Sequence, residues 1–185
     1  MYETSEIRKG LKIELEGDVY IVVDFQHVNP GNWRAFIRTK LKSLSRGTVI
    51  ERTFRSGEKL GRPDLEEKTM QFLYGSEDQY HFMDVQTYEQ TFLTREQLGS
   101  SKGFLKEGAT ISVLFHRGTP MAVDLPTFVK LAVIQTEPGV KGDTVTGGTK
   151  PATLETGTVI QVPLFLNQGD VVKVDTRTGQ YVERS

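Results

Sequence analysis

Residues 35 to 54 read Ala-Phe-Ile-Arg-Thr-Lys-Leu-Lys-Ser-Leu-Ser-Arg-Gly-Thr-Val-Ile-Glu-Arg-Thr-Phe, and their alternation decides the fold class. Phe36 or Ile37 and Leu41 alternate with Arg38, Lys40 and Lys42 at the two-residue period of a half-buried strand. Ser45-Arg46-Gly47 supplies turn residues, and residues 48 to 54 return as a second strand, so the stretch predicts a hairpin of a small barrel. In a strand, Arg38, Lys40 and Lys42 point to one side as a cationic ladder about 13 Å long, at roughly 3.3 Å per residue.

The same style extends in both directions. Upstream, Leu11, Ile13 and Leu15 alternate with Lys12, Glu14 and Glu16, and Gly17-Asp18 turns the chain into the apolar run 19 to 23. Downstream come Gln71-Phe-Leu-Tyr74, the turn Gly75-Ser76-Glu77-Asp78, Gln79-Tyr-His-Phe-Met83, Thr110-Ile-Ser-Val-Leu-Phe115, a turn at Gly118-Thr119-Pro120 and Met121-Ala-Val123. The last third offers residues 128 to 134, 158 to 162, 171 to 174 and 181 to 182 as strands. Only Thr94-Arg-Glu-Gln97, with the spacing of a capping box, predicts a helical turn. The chain is therefore expected to be all-β. Its thirds of about 60 residues, each with about five strands, suit three small barrels spanning 1–64, 65–127 and 128–185, joined at Pro63-Asp64 and Pro126-Thr127, where proline interrupts the strand pattern.

Across 185 residues, 23 Lys and Arg face 24 Asp and Glu, a net charge of -1 that suggests no polyanionic partner. The average hides a gradient: +3 over residues 1–64, -4 over 65–127 and 0 over 128–185. Nine cations, Arg34, Arg38, Lys40, Lys42, Arg46, Arg52, Arg55, Lys59 and Arg62, stand against only Glu51 and Glu58 between residues 34 and 62, a local +7 that reads as a phosphate-binding footprint. A solvated strand face is the equal alternative on charge alone.

Familiar catalytic patterns are missing. The chain has no cysteine, hence no disulfide, thiolate site or thiol nucleophile, and His27, His81 and His116 lack the paired spacing of metal ligands and are expected to be structural or exposed. There is no G-x-S-x-G, H-E-x-x-H or Walker lysine. The glycine-rich segment 139 to 151 ends in Lys150-Pro151, which prevents a helix from starting there, so it is read as a surface or backbone-contacting loop and not a nucleotide cradle. The longest apolar run, 19 to 23, has five residues where a spanning helix needs about twenty, and Met-Tyr-Glu-Thr-Ser-Glu lacks the features of a secretory leader. The expectation is a cytoplasmic, monomeric protein with no catalytic residue, cofactor, metal, membrane or DNA partner.

One segment is unusual: Val28-Asn29-Pro30-Gly31-Asn32-Trp33-Arg34-Ala35 places a Pro-Gly turn and the sole tryptophan between two strands. Trp33 either folds back on the barrel or, with Asn32, projects from a hairpin toward a partner.

The C-terminal run Gly142-Asp-Thr-Val-Thr-Gly-Gly-Thr-Lys-Pro-Ala-Thr-Leu-Glu-Thr-Gly157, then Val162-Pro163 and Val174-Asp-Thr-Arg-Thr-Gly179, resembles the bacterial elongation factor P family. Residues 52 to 60, Arg-Thr-Phe-Arg-Ser-Gly-Glu-Lys-Leu, together with Phe82-Met-Asp84 and Tyr88-Glu89, extend the resemblance over essentially the whole chain. It implies an SH3-like, KOW-type barrel followed by two OB-folds in an elongated L shape that imitates transfer RNA. It further implies a factor bound between the peptidyl and exit sites of the ribosome, contacting rRNA, ribosomal proteins and peptidyl-tRNA, and relieving stalling at consecutive prolines. The hairpin Pro30, Gly31, Asn32, Trp33 and Arg34 would then approach the peptidyl transferase centre. Arg38, Lys40, Lys42, Arg52 and Arg55 would meet tRNA or rRNA backbone, and Gly142, Asp143 and Thr144 would face the small subunit and exit-site codon. Where the family commonly carries a modified lysine or arginine at the tip, this chain has Asn32, whose amide offers no amine, so either the factor works unmodified or another residue such as Arg34 serves; the first is the expectation, because Arg34 sits past the tip and not on it. The competing reading is a free OB-fold RNA-binding or RNA-chaperone protein, which would bind bare single strands as well as ribosomes.

Overall fold

A computed structural model describes residues 1–139 and 148–185. Its strands, in chain order, are β1 (Tyr2–Glu3), β2 (Lys12–Leu15), β3 (Asp18–Val28), β4 (Phe36–Ser43), β5 (Val49–Arg55), β6 (Lys59–Leu60), β7 (Leu65–Gly75), β8 (Gln79–Asp84) and β9 (Gln90–Thr94). The short helix α1 (Arg95–Leu98) follows, and then β10 (Thr110–His116), β11 (Thr119–Asp124), β12 (Phe128–Thr136), β13 (Thr149–Leu154), β14 (Val159–Pro163), β15 (Val171–Asp175) and β16 (Gln180–Arg184). They make sheets ordered β2-β3-β4-β5, β11-β10-β7-β8-β9 and β14-β13-β12-β15-β16, with β1 paired to β6. The all-β expectation holds: the helical residues among those described are α1 and two 3₁₀ turns, Thr4–Glu6 and Gly99–Phe104. By its contacts the chain gathers into two compact units, Met1–Lys68 with Thr91–Gly99 and Val113–Ala122, and Thr69–Gln90 with Ser100–Ser112 and Val123–Ser185.

The first unit is organised by the stretch quoted at the outset. In β4, Ile37, Thr39, Leu41 and Ser43 are buried while Arg38, Lys40 and Lys42 are exposed, as period-two alternation requires. The inward side joins Ile7, Leu11, Ile13, Tyr20, Val22, Phe54 and Leu60 in one apolar core. Two tight hairpins shape this unit. Glu16 and Gly17, at φ +54° and +81°, turn β2 into β3, and Arg117 and Gly118, at φ +50° and +79°, turn β10 into β11. Positive φ at both central residues gives the twist that suits adjacent antiparallel strands. The second hairpin corrects the expected turn at Gly118-Thr119-Pro120: Pro120 lies within β11, an edge strand, where a residue without an N–H is tolerated. Thr94 caps α1 as its spacing anticipates, its hydroxyl accepting from the Gln97 N–H while the Gln97 side chain accepts from the Thr94 N–H.

The second unit has its main core in the C-terminal sheet, where Leu131, Val133, Ala152, Leu154, Ile160, Val162, Leu166, Val172 and Val174 pack with Phe104. Thr156 and Thr158 both donate their hydroxyls to the Gly103 carbonyl, at 2.6 and 2.7 Å. A Cβ on Gly103 would lie 2.6 Å from Thr158 Oγ1, so glycine is what lets the Thr158 side chain come this close to the Gly103 backbone.

Candidate nucleic-acid interface

The outward face of β3, β4 and β5 is built row by row from the strand register. Phe36 lies between Val28 and Arg55, Arg38 between Gln26 and Thr53, and Lys40 between Asp24 and Glu51, while Lys42 lies between Ile21 and Val49. Because successive residues of a strand face opposite sides, Arg38, Lys40 and Lys42 share this face with Arg55. Arg52 does not: it is opposite buried Thr39, whose hydroxyl donates to the Arg52 carbonyl at 2.7 Å, and its guanidinium lies 3.9 Å from Glu16. Lys40 is flanked by two carboxylate residues across the strands, so its row is electrically the weakest.

The local +7 seen along the sequence is partly neutralised by acids from outside the stretch. Lys59 pairs with Glu3 at 2.6 Å, Arg52 with Glu16, and Arg46 with Asp18 at 3.3 Å while also donating to the Tyr20 hydroxyl at 2.9 Å. Asp18 is a strong local acceptor. Burial pushes its pKa up, but hydrogen bonds from the Ser43 and Ser45 hydroxyls and the Val19 N–H, with Arg46 nearby, outweigh burial and hold it below the ordinary carboxylate value. Glu3 is also lowered, by the hydrogen bond from Lys59 and then by its charge. Among the described residues no carboxylate lies within ion-pairing distance of Arg34, Arg38, Lys42 or Arg55. The structure thus divides one run of cations into a compensated set that braces the barrel and an uncompensated set that faces outward.

Beyond the ends of β3 and β4 the loop carrying Pro30, Gly31, Asn32, Trp33 and Arg34 forms the hairpin tip, and Gly31 takes φ +62°. Trp33 does not fold back on the barrel: it is 79% exposed. Below the tip a groove of about 800 Å³ is lined by Pro30, Trp33, Arg34, Phe36, Arg38, Thr53 and Arg55. Arg38 holds its guanidinium 5.7 Å from the Phe36 ring centroid, a cation–π arrangement that keeps the planar donors over the groove wall. Sequence reading named the tip and the cations but missed Phe36 and Thr53, which become lining residues only once the register sets them beside Arg55 and Arg38.

Other expected site residues are placed as follows. Gly142, Asp143 and Thr144 lie outside the described residues. His27 is exposed, with its ring edge-on to Phe25 at 5.5 Å, and His81 stacks on Tyr74 at 4.5 Å. His116 is buried, and with Arg117 it brackets one oxygen of Glu14: Nε2 lies 3.3 Å and the Arg117 Nη2 2.8 Å from Glu14 Oε1. Glu14 is itself fixed from the backbone side, its N–H donating to the Gly61 carbonyl at 2.9 Å. This cluster had no signal in the sequence. Among the described residues no group of three or more His, Cys, Asp or Glu gathers as a metal site, and no helix is long and apolar enough to cross a membrane.

Three family models match the chain in succession: the Elongation factor P KOW-like domain over residues 3–60, the Elongation factor P OB domain over 65–123, and Elongation factor P, C-terminal, over 129–184. An elongation factor P of Natranaerobius thermophilus is 54% identical over 184 residues, covering 100% of this chain and 98% of the relative. One from Moorella thermoacetica is 55% identical over 185 residues and covers both chains completely. Among solved structures, the eukaryotic translation initiation factor 5A from Methanococcus jannaschii superposes with a TM-score of 0.54 at 21% identity, covering 66% of this chain and 92% of that one, a likeness of fold.

Proposed function

The chain belongs to the elongation factor P family, and on that premise we propose that it binds the ribosome between the peptidyl and exit sites, braces the peptidyl-tRNA and stimulates peptide-bond formation at consecutive prolines. Family membership across the whole length is the observation that carries this reading. The uncompensated cations beside a projecting tip supply the chemistry it needs. The proposed division is a KOW-type barrel over 1–64 and OB domains over 65–127 and 128–185, acting as a monomer in the cytoplasm without a cofactor or a catalytic side chain. Arg38, Lys40, Lys42, Arg52 and Arg55 are proposed for RNA backbone, with Arg52 and Lys40 contributing least because acids already face them. The proposed small-subunit role of Gly142, Asp143 and Thr144 rests on the sequence resemblance alone.

The mechanism requires no proton transfer from the protein. Proline's ring fixes φ and limits the approach of its secondary amine to the ester. Holding the peptidyl-tRNA in an attack-ready arrangement lowers that barrier by settling orientation beforehand, and each tenfold gain in rate needs only about 1.4 kcal/mol. A few phosphate contacts to Arg34, Arg38, Lys42 and Arg55 are enough for such a gain. Asn32 at the tip is proposed to work unmodified. In vitro translation of a message encoding Pro-Pro-Pro, with and without the protein, tests the reading. Full-length product should rise on addition while the intact mass of the tip peptide matches its sequence, and an unchanged stall would overturn the proposed role.

A further inference from the structure

We propose that Glu14, His116 and Arg117 form a proton-dependent latch across the joint between the first barrel and the OB domain, closed while the His116 ring is protonated and loosened when it loses that proton. Glu14 belongs to the stretch matched by the KOW-like model, whereas His116 and Arg117 belong to the stretch matched by the OB model, and all three lie in one compact unit. His116 Nε2 and Glu14 Oε1 face each other at 3.3 Å, both closed to solvent and neither with a properly aligned hydrogen bond. Buried polar atoms without partners are rare and costly, and one proton between these two satisfies both. A neutral ring can set its single proton there, but the imidazolium adds the attraction of opposite charges where water screens it least. Without that charge Glu14 is left to Arg117, which is largely exposed, and exposed pairs hold weakly.

The backbone around the cluster ties the two domains at the same place. The Glu14 N–H donates to the Gly61 carbonyl at 2.9 Å, and a Cβ on Gly61 would lie 2.6 Å from the Glu14 carbonyl oxygen, so β2 lies directly against the joint. From the other side the Arg117 N–H donates to the Asp64 carbonyl at 3.4 Å. Arg117 takes φ +50° at the first central position of the β10–β11 turn, where Asn, Asp or Gly is favoured. Its guanidinium, 2.8 Å from Glu14, gives a reason for an arginine in that strained place. The cleft of about 550 Å³ bordering His116 is lined on its charged side by Glu16, Asp18, Arg46 and Arg117. Asp18 is engaged by Arg46 and Glu16 lies 3.9 Å from Arg52, whereas Glu14 faces His116. Closure therefore needs an ionised Glu14 and a protonated His116: it is strongest between the ordinary carboxylate and histidine ranges and fades as pH rises through the latter.

Amide hydrogen exchange of the full-length protein, read by NMR and normalised to intrinsic rates, tests the latch. Between about pH 5.5 and 8.5, the span over which an imidazole titrates, protection of the Glu14 and Arg117 amides should fall by about tenfold, the worth of one hydrogen bond to a charged group. The Val133 amide, bonded to the Asp170 carbonyl in the C-terminal sheet, should show no such fall. His116→Gln and Glu14→Gln should each flatten the profile, and His27→Gln, at an exposed position, should keep it. Thermal melts establish that each variant is folded, and if His116→Gln is not, Glu14→Gln carries the test. A flat wild-type profile, or a pH dependence that survives either substitution in the cluster, would overturn the proposal.

Discussion

If the outward cations bind RNA backbone, each uncompensated one should release about one counterion's worth of salt dependence, and each compensated one should not. Arg34, Arg38, Lys42 and Arg55 form the first group, while Lys59 and Arg52, paired with Glu3 and Glu16, form the second. Four phosphate contacts at about 0.7–0.9 each give a slope of about -3 in log K against log salt, and therefore roughly a hundredfold loss of affinity between about 50 and 200 mM. Arg38→Ala or Arg55→Ala should flatten the slope by about 0.7–0.9, which is about a threefold smaller loss over the same interval. Lys40→Ala should do less, because Asp24 and Glu51 face Lys40 across the strands. Arg52→Ala should flatten it least of the proposed contacts, because Glu16 already faces Arg52, and Lys59→Ala should leave the slope unchanged. Anisotropy of labelled tRNA, measured with folded variants over a salt series, reads these slopes directly. Equal flattening by Arg52→Ala and Arg38→Ala would show that the face identified from the register is not the binding face.

Three further outcomes concern the scaffold behind that face. Glu14→Gln keeps the side chain's shape but removes the charge bracketed by His116 and Arg117; because Arg117 is largely exposed, the expected loss is about 1 kcal/mol in urea unfolding, and no loss would mean that water already screens the contact. Gly103→Ala should cost about 1–3 kcal/mol by overpacking against Thr158, and combining it with Thr158→Ala should cost clearly less than the sum of the two single changes. Full additivity in that cycle would refute the contact. Asp18, whose folded pKa is depressed, contributes stability that is present above the ordinary carboxylate range and is lost as pH falls through its folded value. Asp18→Asn should therefore lower stability near neutrality and converge with the wild type in acid, and a gap that persists at the acid end would contradict the hydrogen-bonded carboxylate described.

Much of this was legible along the chain, and what was not has identifiable causes. The alternation in β4 showed both its buried side and its cationic side, because a strand that packs on one face writes its period into the sequence. The cap at Thr94 was legible for a similar reason: all its partners lie within three residues. Charge compensation was invisible, since Glu3, Glu16 and Asp18 reach Lys59, Arg52 and Arg46 only after β1 and the β2–β3 hairpin have folded against the later strands. His116 looked unremarkable because its partner, Glu14, comes from the first strands of the chain. The groove lay between these extremes: Trp33 and the arginines could be named in advance, but Phe36 and Thr53 join them only through the register of β4 with β5. Pro120 was misplaced in a turn because proline usually marks one, whereas an edge strand also accepts it.

The unmodified protein is proposed to act by holding peptidyl-tRNA in a reactive geometry. The most direct measurement is the rate of a single proline-to-proline peptide bond on purified ribosomes carrying peptidyl-prolyl-tRNA, with wild-type protein of verified unmodified mass and with the Arg38→Glu/Arg55→Glu double variant. Wild type should accelerate that bond at least tenfold, with little effect on a bond to phenylalanine, and the folded double variant should lose most of the gain. No acceleration by the unmodified wild type, or full acceleration by the charge-reversed variant, would contradict this mode of action.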